Sequence, residues 1–139
     1  MYAPHFRLKS FETISEGFKF GILQKLLEAL TIANVAYLLK YPNTPLLYES
    51  GVRYLSEPPG RDDWQDIPDT LARGNGDCED LACWRVAELR VRFGDRFATR
   101  RITVEQLPDD QGRSVTTFHI SVFSPFFGRE DPSRLLGMP

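Results

Sequence analysis

The sequence of 139 residues predicts an α+β domain. Apolar residues from Ser15 to Lys40 fall at helical spacing, and a second helical pattern follows Asp77. Two segments near residues 98–106 and 114–123 then alternate like strands, joined by a loop of hairpin type. A chain of this length can bury one core without staples, so residues 1–139 read as a single domain. Residues 1–45 form its N-terminal helical segment and residues 46–139 its core. The apolar fraction of 42% and aromatic fraction of 12% belong to a globular protein. A net charge of −2 gives no electrostatic footprint for nucleic acid.

Residues 1–14 carry little pattern; Phe6, Leu8 and Phe11 suit an extended arm or a half-turn. From Ser15, a suitable cap, the run Phe18, Ile22, Leu23, Leu26, Leu27, Leu30, Ala33, Val35, Ala36, Leu39 reads as two helices broken near Thr31. Its length raises a membrane span, but Lys19, Lys25, Glu28 and Lys40 favour helices packed on a core. Leu46 to Leu55 fits helix or extended chain, and Pro58-Pro59-Gly60 marks a turn. A short helix follows with Pro68 in its first turn and Gly74 closing it. Trp64, just before it, is a core residue or an anchor near a cleft. In the second strand Phe118, Ile120 and Val122 face one way, Thr117, His119 and Ser121 the other.

The chemistry gathers at Gly74-Asn75-Gly76-Asp77-Cys78-Glu79-Asp80. Asp77 is an N-cap with Asp80 in support, and Cys78 falls in the first turn, where free amides and the helix dipole favour a thiolate. Ala82, Val86, Leu89 and Phe93 give that helix one buried face. Cys78 is therefore a nucleophile or a buried structural thiol. Cys83 lies about 8 Å away along the same helix, too far for a disulfide, and reads as packing. His119 on its strand and Asp131 before Pro132 complete the order of a thiol triad. In that triad His119 takes the proton and Asp131 fixes the imidazole tautomer. The Cys78 amide would bind the oxyanion, and Trp64 or Gln65 would supply a second donor. Asp77, Glu79 and Asp80 crowd carboxylates around the thiol and should raise its pKa, which a bound Ca²⁺ would offset. The alternative use of these acids is capping, with Asp80 paired to Arg73 or Arg85.

From Tyr54 to Ser133 the sequence resembles the transglutaminase-like cysteine peptidases of the papain-like fold. The motif Gly76-Asp77-Cys78-Glu79-Asp80, followed by Leu81-Ala82, carries most of the likeness. Trp64, Pro68 and Leu71 lie at suitable spacing upstream, and His119 and Asp131-Pro132-Ser133 follow in the family's order. The resemblance implies a helix carrying Cys78 packed on an antiparallel sheet carrying His119 and Asp131. It implies thiol chemistry on amide bonds through an acyl-enzyme, and it points to Asp77 and Glu79 as calcium ligands. The nearest branch is similar to bacterial transglutaminase-like cysteine proteinases. This chain departs from it in Leu81 and Trp84, in a compact His-to-Asp interval, and in having no secretory leader pattern over Met1 to Ser10.

The expected function is thus a cysteine hydrolase, a peptidase acting on a protein or peptide substrate, with no cofactor required and calcium as an option. Transamidation is the same acyl transfer with an amine in place of water. The rival class is a non-enzymatic binding or assembly module that keeps the fold. No nucleic-acid partner and no membrane span are expected, and the oligomeric state is open. Localisation is expected to be cytoplasmic, or virion-associated if the chain is phage-encoded.

Overall fold

The computed structural model describes residues 16–57 and 63–139. It is a mixed helical and sheet structure, α+β in class. The elements run α1 (Glu16–Lys40), a 3₁₀ turn (Leu47–Glu49), β1 (Arg53–Tyr54), α2 (Ile67–Arg73), β2 (Asn75–Gly76), α3 (Cys78–Arg92), β3 (Thr99–Pro108), β4 (Ser114–Ser124), β5 (Gly128–Glu130) and α4 (Pro132–Leu135). β1 and β2 pair in parallel, Tyr54 opposite Gly76. The main sheet is antiparallel in the order β3-β4-β5, with Thr103 opposite His119 and Val122 opposite Glu130. The expected arm, the Ser15 cap and the Pro58-Pro59-Gly60 turn lie outside the described residues.

α3 is the axis of the molecule. Every residue from Asp80 to Leu89 is buried, so the single apolar face read from the sequence is corrected to burial all round. One side, with Ala82, Cys83, Val86 and Leu89, packs on Leu23 and Leu27 of α1 and on Ala98, Ile120 and Val122 of the sheet. The other, with Leu81, Trp84 and Ala87, packs on Leu38, Leu47, Val52, Ile67 and Leu136. Small residues at Ala82, Cys83 and Ala87 let neighbours approach closely, which is why the pattern under-reports the burial. Phe93, expected on the buried face, is 41% exposed beyond the helix end.

The N-terminal segment also differs from expectation. α1 is one unbroken helix, not two. Thr31 Oγ1 donates to Leu27 O at 2.8 Å, so its hydroxyl is satisfied inside the helix and no break is required. Asn34 Oδ1 accepts from the Ile67 amide at 2.9 Å, tying α1 to the start of α2. α1 is long and apolar enough to cross a membrane; Leu23, Leu27 and Leu38 are buried against the core while Phe18, Ile32 and Leu39 face outward. The Leu46–Leu55 stretch is neither helix nor strand throughout: it holds the 3₁₀ turn and then β1.

α2 forms as its sequence dictates. Asp66 caps it through the Asp69 amide, Pro68 sits in its first turn, and Gly74 closes it at φ 76°. No neighbour would contact a Cβ at Gly74, so Gly74→Ala meets only the left-handed backbone penalty. We expect it to lower stability by about 1–2 kcal/mol, read as a reduced urea midpoint with unchanged slope.

Candidate active site

Two short structures deliver Cys78 to the surface of the core. β2 pairs with β1 and stops at Gly76, whose missing side chain leaves room for Asp80 Cβ, 3.1 Å from where a Cβ would sit. Asp77 then caps α3: its carboxylate accepts from the Asp80 amide, while Asp80 Oδ2 accepts from the Asp77 amide at 3.1 Å. This reciprocal capping box fixes where the helix begins and hence where the thiol emerges. Asp80 Oδ1 also accepts from the Gln65 amide at 2.7 Å. The expected pairing of Asp80 with Arg73 or Arg85 is corrected: Asp80 serves backbone amides, and Arg85 bonds Glu88 and Glu130. Burial, together with the charge of Asp77, pushes the Asp80 carboxyl well above the usual range.

β4 and the segment after β5 deliver the other two residues. Asp131 leaves the sheet as the N-cap of α4, one oxygen accepting from the Arg134 amide. Its Oδ2 lies 2.7 Å from His119 Nε2. His119 is mostly buried there, its side chain 14% exposed. A carboxylate can only accept, so this contact suits the tautomer with the proton on Nε2 and a lone pair on Nδ1. The alternation read from the sequence holds in β4: Ile120 and Val122 are fully buried, and His119 stands on the opposite face.

Cys78 packs against the same core cluster as Ile120 and Trp64. Its thiol donates to Glu79 Oε2 at 3.6 Å and not to His119. The backbone amide of Ile120, the residue after His119, donates toward the sulfur and favours its ionised form. That help is outweighed. Burial first, then the charges of Glu79 and Asp77, push the Cys78 thiol far up, so the resting sulfur is protonated. Cys83 is a packing residue, fully buried and pushed up to about 12 by that burial.

Comparison with protein-family models, curated proteins and solved structures gives no match to this chain. The chain's own geometry carries the functional reading.

Of the two expected second oxyanion donors, Gln65 is buried and acts as a strut, its Nε2 donating to Asn75 O at 2.9 Å. Trp64 is half-buried against the core beside the site. The first-turn amides of α3 are the donors aimed outward by construction. Two contributors escaped the sequence. The Ile120 amide has no side-chain signature, since any residue there offers the same N–H. Tyr54, opposite Gly76 in β1, has its phenol pushed up by burial first and then by its neighbours Cys78, Asp77 and Glu79. That places a protonated hydroxyl in the electrostatic neighbourhood of the thiol, a position that only the β1-β2 pairing reveals.

A cleft of about 210 Å³ adjoins the site, lined by Leu55, Ser56, Glu57, Gln65, Arg73 and Asn75 and reaching Asp77 and Asp80. Of the expected calcium ligands, Asp77 caps α3 and Glu79 contacts the thiol. Among the described residues no three His, Cys, Asp or Glu side chains come together to hold an ion.

Proposed function

We propose that this chain is a transglutaminase-like cysteine hydrolase, a peptidase that works through Cys78, His119 and Asp131. The observation that carries the reading is the His119–Asp131 bond at 2.7 Å, with the next residue, Ile120, donating its amide toward the Cys78 thiol at the N-terminus of a buried helix. The bond orients Nδ1 as the free base. Because the resting thiol is protonated, the sulfur must give up its proton in the first step. Cys78 Sγ attacks the amide carbon as its proton passes to His119 Nδ1. The imidazolium so formed is stabilised by Asp131. First-turn amides of α3 bind the oxyanion. Collapse expels the amine, which takes the proton from His119 and leaves a thioester. Water then gives a proton to His119 as it attacks the thioester; breaking the C–S bond releases the acid, and the departing Cys78 sulfur takes the proton back from His119. An amine in place of water would make the reaction a transamidation.

Iodoacetamide labelling read by mass spectrometry tests this, with Cys83 as internal control. Raising a thiol pKa moves the thiolate to higher pH, so Cys78 should label slowly at pH 7 and faster as pH rises. Glu79→Gln removes the nearest charge and leaves only a neutral, weaker acceptor for the S–H, lowering the thiol pKa. We expect labelling near pH 8 to quicken by about tenfold per pKa unit recovered. Cys83 should stay unlabelled in the folded protein. Calcium that reproduced the Glu79→Gln effect, reversed by chelator, would assign the acids to a metal. Equal labelling of Cys78 before and after Glu79→Gln and His119→Ala would favour the binding module.

A further inference from the structure

At the far end of α3 from Cys78, phenylalanines and arginines share one surface. Phe93 follows the helix, Phe97 precedes β3, Phe123 ends the outer face of β4, and Phe126 and Phe127 form the turn into β5. All five are exposed, Phe126 at 69% and Phe97 at 66%. Phe93 and Phe127 meet edge to face with ring centres 5.5 Å apart. The two loops are tied: Ser124 Oγ donates to Asp95 Oδ2 and accepts from the Phe126 and Phe127 amides, and Asp95 Oδ1 accepts from the Phe97 amide. The aromatic tips are therefore held in place by the fold.

Charge at this end has one sign outside. Across 93–101 and 121–130 the only acids are Asp95 and Glu130. Asp95 is buried on Ser124, and Glu130 is bonded to Arg85. Arg96, Arg101 and Arg129 are exposed, and among the described residues none of them has a carboxylate partner. Arg96 lies over the Phe97 ring at 5.0 Å, and Phe123 stands opposite Arg129 in the sheet. A protein of net charge −2 thus gathers cations around apolar tips at one end.

We infer that this end docks on an anionic lipid surface, phenylalanines entering the acyl boundary and arginines meeting lipid phosphates. Phenylalanine has no polar handle to satisfy and gains most where it leaves water entirely, while each cation near an anionic bilayer adds attraction. Nucleic acid fits less well. Stacking needs open ring faces, whereas Phe93 and Phe127 meet edgewise and Arg96 covers Phe97. A second copy across a two-fold axis would set Arg96 and Arg129 against their like. The patch starts about 13 Å along β4 from His119 and about 20 Å along α3 from Cys78. Docked this way, the thiol would stand clear of the surface and reach chains that lie on or emerge from it. The inference stands apart from the thiol chemistry.

Co-sedimentation of the full chain with vesicles tests it. Phosphatidylcholine vesicles are compared with phosphatidylcholine–phosphatidylglycerol vesicles, and far-UV circular dichroism checks each variant's fold. Binding is expected on the anionic vesicles and weakened by salt. It should fall by about tenfold or more in Phe126→Ser/Phe127→Ser, and be lost in Arg96→Glu/Arg129→Glu. These side chains are exposed, so the variants should fold. Equal binding to both vesicle types, no binding, or binding unchanged in both variants would overturn the inference. So would a concentration-dependent dimer in light scattering, or a fluorescent single-stranded oligonucleotide bound at this end, if the same substitutions abolished it.

Discussion

Asp131→Asn should lower kcat/KM for amide hydrolysis by about 10³–10⁴-fold while leaving α4 in place. The substitution separates the two roles of the residue. Asparagine caps a helix as well as aspartate does, so the bond from the Arg134 amide survives. What is lost is the ionised acceptor at His119 Nε2, and with it the tautomer that leaves Nδ1 free. His119→Ala should lose as much or more, and Cys78→Ala should have no acyl-enzyme. Turnover is measured on a peptide mixture by mass spectrometry, with circular dichroism reporting the fold. Full activity in Asp131→Asn would reduce the residue to a helix cap and remove the triad. A fall confined to KM would mean that Asp131 contacts substrate instead.

Much of the site was legible because short-range rules govern its parts. A turn of Gly, Asn and Gly followed by Asp-Cys-Glu-Asp admits few structures other than a capped helix start, and the capping box formed as written. Strand alternation placed His119 opposite the buried Ile120 and Val122. Asp-Pro announced the turn that makes Asp131 a cap. Long-range effects were not legible. Nothing local says that α3 is buried on both sides, because Trp84, Ala87 and Leu81 find their partners in α1, α2 and the C-terminal turn. Thr31 does not break α1, because its hydroxyl donates to Leu27 O and accepts from the Arg100 guanidinium at 3.0 Å, partners that lie beyond local pattern. Gln65 offers a free donor only in the sequence, since its acceptor, the Asn75 carbonyl, belongs to β2 beyond the whole of α2. The charge assignments missed for the same reason: Arg85 points toward β5, which no helical spacing could indicate.

Arg85→Met should destabilise the fold by about 3–5 kcal/mol, because it strands a buried charge. Glu88 is fully buried, one oxygen accepting from the Leu47 amide at 2.8 Å and the other from Arg85 Nη1 at 2.7 Å. Even with Arg85 present, burial holds the Glu88 carboxyl above its ordinary value. Without the guanidinium it must rise further. A carboxyl raised in the fold favours folding below its unfolded pKa and opposes it as pH climbs through the folded value. The deficit of Arg85→Met should thus be largest at neutral pH and shrink toward pH 5, as urea unfolding at the two pH values would show. Arg85→Met/Glu88→Gln keeps an acceptor for the Leu47 amide, removes the charge, and should recover much of the loss at pH 7. If the double variant is no better than the single one, the cost lies in packing against Tyr48 and Phe93, over whose rings Arg85 also sits. The same guanidinium bonds Glu130, the residue before Asp131, so the pair that neutralises the interior also ties α3 to the strand that presents the His119 partner. Arg85→Met should therefore lower turnover per folded molecule. Turnover that fell only in proportion to the folded fraction would confine Arg85 to stability.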